Sequence, residues 1–208
     1  MADSDWHPNP KDYVEFYKQH GYSFLPQSLI DRFLKLISAQ LLNDRTDWTE
    51  RLADYPENPT GKDLLRHVGY HESRIDEVDE LQFLAAELVI LGLYRFIEIE
   101  RNRVLIERFS PIDPKHLRTW HHLSTAFPFL RRLFGSDAID ELRLICNCIK
   151  HSGRVSRELA KYHHGWREGE RLSELGAAYK RLAPFVGAYW IDFVCTARDI
   201  ANEKRTVS

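Results

Sequence analysis

Residues 141–154 read ELRLICNCIKHSGR, and the spacing of their polar members decides the fold class. Arg143, Asn147, Lys150, His151 and Arg154 recur at intervals of three and four. At helical pitch they fall within an arc of about 100°, while Leu142, Leu144, Ile145, Cys146, Cys148 and Ile149 fill most of the remaining circumference. Such a segment is a helix that buries most of its surface and keeps one narrow strip polar. The strip is mostly cationic. It faces either open solvent or a cleft, and the rest of the chain bears on which.

Around this helix lie 208 residues, 43% of them hydrophobic, which is enough for a sizeable core in one globular unit with an appended N-terminal piece. A formal net charge of −2 excludes a protein that coats nucleic acid by bulk charge, but leaves room for a local basic patch. Between residues 140 and 171 there are seven Lys/Arg against five Asp/Glu, with three His besides. Cys146, Cys148 and Cys195 supply neither a disulfide framework nor a CxxC pair, which points to a reducing cytoplasm. The opening MADSDWHPNPKDY lacks a basic-then-apolar signal pattern. The apolar run LQFLAAELVILGLYRF is interrupted by Glu87 and Arg95, so no membrane span is expected.

Helical periodicity dominates, without the alternation of strands. The pattern predicts helices near 10–20 and 26–43, the second capped by Ser28 after Pro26. Residues 54–62, DYPENPTGK, read as a connection. The longest helix is expected over 76–109, stopped by Pro111 and Pro114. Another is expected over 114–134, bent at Pro128. The quoted stretch belongs to a helix with a Ser136/Asp137 cap that ends at Gly153. Residues 154–172 read as a polar loop, and the last helix runs over 172–203 with Pro184 inside it. The expectation is an all-α bundle of four to five main helices over residues 71–208, with residues 1–70 as an N-terminal helical extension.

Within the strip, His151 is the residue type that exchanges protons near neutral pH, as a general acid or base must. Arg143 and Arg154 suit a phosphate and the charge that grows on it in a transition state. Asn147, one turn before His151, would orient the imidazole or the substrate, and Lys150 adds positive potential. A solvated helix face explains the same residues about equally well.

The run LYRFIEIERNRVL, the connector that follows it and ELRLICNCIKHS together resemble the HEPN superfamily over roughly residues 76–205. That resemblance implies a helical bundle that pairs two copies of the motif helix across a two-fold axis, in toxin or defence systems that include an antitoxin or other partner protein. Active members are metal-independent endoribonucleases. Their signature is an Arg followed after four to six residues by a His, often with Asn directly after the Arg. Here Asn147 and His151 match, whereas the residue before Asn147 is Cys146, and Arg143 stands one turn too early. A cysteine cannot hold a phosphate as a guanidinium does. The resemblance therefore implies one of two functions. One is an endoribonuclease with His151, Asn147 and Arg143 or Arg154 at a dimer cleft. The other is an inactive bundle that binds RNA or a partner protein. Neither requires a metal or cofactor.

In the loop, His163, His164 and Trp166 beside a cationic strip suit stacking on the bases of single-stranded RNA, although loop residues that order the bundle look the same. His67 and His71 have the i, i+4 spacing of a metal pair, with Glu72 adjacent, and a metallo-enzyme is the third reading. Glu98, Glu100, Arg101 and Arg103 read as helix-surface ion pairs, and the cysteines as small core residues.

Overall fold

The computed structural model describes residues 25–55 and 61–207, and all regular structure in them is helical, apart from one isolated bridge between Arg154 and Arg171. The expected helix near 10–20 lies outside these residues. Helix α1 spans Leu25–Ala53 and α2 spans Lys62–Phe109. Two short 3₁₀ turns, Pro114–Leu117 and Pro128–Arg131, flank α3 at Trp120–Ala126. Then come α4 (Ser136–His151), α5 (Arg157–Tyr162) and α6 (Leu175–Val207). None of these helices is long and apolar enough to cross a membrane.

The chain forms two compact units, one of them Ser28–Val89 and the other including Ile90–Ser208. In the first, Arg45 pairs with Asp79 at 2.9 Å and Trp48 meets Tyr70 and His71 at 5.9 and 5.5 Å, so α1 and the first part of α2 run antiparallel. Among the described residues, Leu41, Val78, Ala85 and Val89 are its buried apolar ones, and the guanidiniums of Arg51 and Arg74 lie over the Trp48 ring. Both helices exceed their expected bounds. Helix α1 begins at Leu25, which places Ser28 inside the helix instead of at its cap, and α2 begins fourteen residues before the expected 76.

The second unit holds the larger core. Ile139, Leu142, Ile145 and Cys146 of α4 have no exposed surface, and neither do Tyr189 and Phe193 of α6 or Ile90, Leu93, Ile97 and Leu105 of α2. Burying an aliphatic or aromatic side chain of this size stabilises by about 1.5–3 kcal/mol, so α4 is held mainly by its apolar arc. Phe193 stacks between Phe129 and Tyr189, with centroids 6.4 and 6.3 Å away. Arg101, expected on the surface, is instead buried over the Trp120 ring. The other expected ion pairs are present as Arg95–Glu98 and as Arg103 with Glu100 and Glu107.

The segment expected as one helix over 114–134 breaks into three pieces. Thr119 is extended and caps α3 through the His122 amide, and Phe127 leaves the helical region because a proline follows it. Helix α4 starts from Gly135 and not from a Ser136/Asp137 cap. Gly135 has φ 78°, and a Cβ there would collide with the Phe185 carbonyl, so both conformation and space demand glycine. Asp137 still favours this end by its charge against the helix dipole. The other end matches expectation: the amides of Ser152 and Gly153 both donate to the Cys148 carbonyl, with Gly153 at φ 63°.

Residues 154–172 are not simply a loop. Ser156 caps the short helix α5 by accepting from the Leu159 amide, and Leu159 is fully buried. Three backbone bonds, Val155 to Glu170, Gly169 to Val155 and Leu172 to Gly153, close the excursion onto the end of α4.

Candidate functional site

Helix α4 presents its strip in two halves with different surroundings. In the first half, Arg143 donates twice to Asp140, at 3.0 and 2.9 Å, and lies 3.5 Å from Glu158. Its side chain is 17% exposed, so the guanidinium is largely spoken for. In the second half Asn147, Lys150 and His151 are exposed, and no hydrogen bond or ion pair to the His151 imidazole occurs among the described residues. Arg154 follows, and its Nη1 donates to the Gly169 carbonyl at 2.9 Å. Cys146, where the resemblance calls for an arginine, has no exposed surface, and its thiol donates to the Ile90 carbonyl. Burial pushes that thiol up to about 12. It stays a neutral core group.

The expected loop residues separate as well. His163 is only 11% exposed and turns toward two carboxylates, with Nδ1 3.7 Å from Glu141 and Nε2 3.5 Å from Asp140. His164 is exposed. The Trp166 indole donates to Glu141 Oε1 at 2.7 Å. The same carboxylate receives both Nη atoms of Arg181, at 2.9 and 2.5 Å. Burial raises the Glu141 carboxyl, but the bonds from Arg181 and Trp166 outweigh it and hold the group below the ordinary carboxylate value. The bond to Glu141 in turn raises Arg181.

Two cavities flank this cluster. One, about 460 Å³, has Trp166 and Arg181 in its wall; the other, about 620 Å³, is lined by Asp137, Asp140, Glu141 and His163. His164 and Arg181 line both. The chain therefore gathers a fixed indole, a fixed guanidinium and a free imidazole at the end of α4's neighbouring loop, while His151 stands by itself on the surface.

Glu141 and Arg181 are the site residues that the sequence reading missed. The signal for Glu141 was present: it lies inside the apolar arc of the quoted helix, on the side away from the strip, where an acid needs a partner. Its partner is forty residues away, so spacing could not name it. His67 is exposed, His71 packs among Trp48, Tyr55 and Tyr70, and no group of three metal-ligating side chains occurs among the described residues.

No protein-family model, no curated protein and no solved structure matches this chain.

Proposed function

We propose that the chain is a HEPN-like bundle that binds RNA through the exposed end of α4 without cutting it. The observation that carries this reading is the state of the guanidiniums. The position that should hold the phosphate-binding arginine is a buried thiol, and Arg143 is bound to Asp140 and Glu158. His151 then has no uncommitted guanidinium at the motif position or one turn before it to stabilise a pentacoordinate phosphorane. Binding asks for less. Lys150, Arg154, Arg157 and Lys161 are all exposed, and the one acid among residues 147–161, Glu158, lies against Arg143. This local excess of positive charge in a net-acidic chain suits a phosphate backbone better than an apolar protein partner.

The test is fluorescence anisotropy with a labelled single-stranded RNA across a salt series. Affinity is expected to fall with salt, and Lys150→Ala and Arg157→Ala are each expected to lower the slope of log K against log salt by about 0.7. The RNA is expected to stay intact. Cleavage by the wild type that an equally folded His151→Ala variant loses would put the endoribonuclease reading in its place. Binding that ignores both salt and these two substitutions would take RNA off this strip, and absence of binding would remove RNA altogether.

A further inference from the structure

The cavity beside Trp166 is built differently from a solvated crevice between loops. Its volume of about 460 Å³ lies in the range of small-molecule sites and accommodates one nucleotide. Two of its walls are immobilised by a single buried carboxylate. Glu141, 5% exposed, holds the indole Nε1 of Trp166 and both terminal nitrogens of Arg181 at once. Taking a carboxylate out of water is costly, and a helix of this composition has no need of an acid in its apolar arc for folding alone. What the acid achieves is to fix an aromatic ring and a guanidinium in the wall of one cavity. Side chains held in advance lose little freedom when a ligand arrives.

We propose that this cavity is a nucleotide pocket, in which Trp166 stacks on the base and the guanidiniums of Arg181 and Arg167 take the phosphate. Arg181 keeps half of its side chain exposed, and Arg167 is 84% exposed, so both have donors left for an anion. Glu170, which also lines the cavity 3.6 Å from Arg167, and Glu174 supply acceptors for ribose hydroxyls. His164 closes the rim and adds a second ring. Ala177 and Ala178 keep the α6 wall low enough for a planar base. Base–aromatic stacking tolerates any base, so the pocket selects nucleotide over sugar phosphate and not one base over another. Glu141 is a positioning residue here: it touches Trp166 and Arg181, not the ligand.

The same chemistry has two sources, a free nucleotide or one nucleotide of an RNA chain, and the second alone rests on the RNA reading. The experiment titrates the full chain with adenosine 5′-monophosphate, uridine 5′-monophosphate and a short oligoadenylate by calorimetry and tryptophan fluorescence. Saturable binding of both mononucleotides is expected, weakened about tenfold or more by Trp166→Ala. Arg167→Glu reverses a charge on a residue far too exposed to support the fold, and is expected to weaken binding comparably. Lys150→Ala should leave mononucleotide binding unchanged, which keeps this pocket distinguishable from the strip on α4. An oligoadenylate that binds no tighter than the mononucleotide assigns the pocket to free nucleotides; one that binds much tighter, and loses that gain in Lys150→Ala, assigns it to RNA. Absence of saturable binding by any of the three probes in the millimolar range overturns the pocket. So does binding that survives both Trp166→Ala and Arg167→Glu in folded protein.

Discussion

Glu141 illustrates how one residue couples stability to a surface. It is nearly buried, yet its partner Arg181 is half exposed, so the pair sits between the buried and the surface limits. Removing one member of a fully buried pair costs about 3–5 kcal/mol; with half of the guanidinium in water, Glu141→Gln is expected to cost about 2–3 kcal/mol. Urea unfolding at neutral pH measures this. The folded-state carboxyl titrates below its ordinary value, so the stabilisation is complete above about pH 4.3 and is lost as pH falls through the folded value. The wild type should therefore lose stability on acidification more steeply than Glu141→Gln. Identical acid profiles for the two proteins would remove Glu141 as an anchor. Trp166 and Arg181 would then be held by packing alone.

At the scale of elements, the legible parts were those with a strong apolar stripe. Helix α4 was readable from residue spacing because eight of its residues are buried on one side, and its end was readable from Gly153. The short helix α5 was not, since it is six residues long and its burial rests on Leu159 alone. The three-way break over 114–131 was hidden because Thr119 and Phe127 act through backbone conformation, which apolar spacing does not record. The start of α4 was misplaced for a similar reason: the helix begins where Gly135 passes under the Phe185 carbonyl, a contact fifty residues away. Gly135→Ala must adopt a left-handed conformation and displace that carbonyl, for an expected cost of about 2 kcal/mol or more. Thermal unfolding checks it. Ser136→Ala, at the position first expected to cap the helix, should cost less than Gly135→Ala, since its hydroxyl reaches the Arg131 carbonyl and no free amide of α4.

Across the whole molecule, stability is unevenly shared. Among the described residues, the unit Ser28–Val89 buries four apolar residues, while α4 and α6 contribute Leu142, Ile145, Tyr189, Phe193 and others at zero exposure. Regions with few buried contacts open at lower free energy. Hydrogen exchange should therefore report amides of α1 exchanging at least about tenfold faster than those at the centre of α4; equal protection in both would show that one cooperative event opens the whole chain. The fold class was legible at this scale, because helical spacing recurs along the chain. The cluster around Glu141 was not, because it joins α4, the loop after α5 and α6 through contacts at separations of 25 and 40 residues. The burial of Cys146 has a further consequence. An arginine placed there would begin its side chain inside the core, against the Ile90 carbonyl. Carrying a guanidinium from this position to the surface would take a rotation of the helix or the rebuilding of a second one. Cys146→Arg alone would set a charge against the packed core and not on the polar strip.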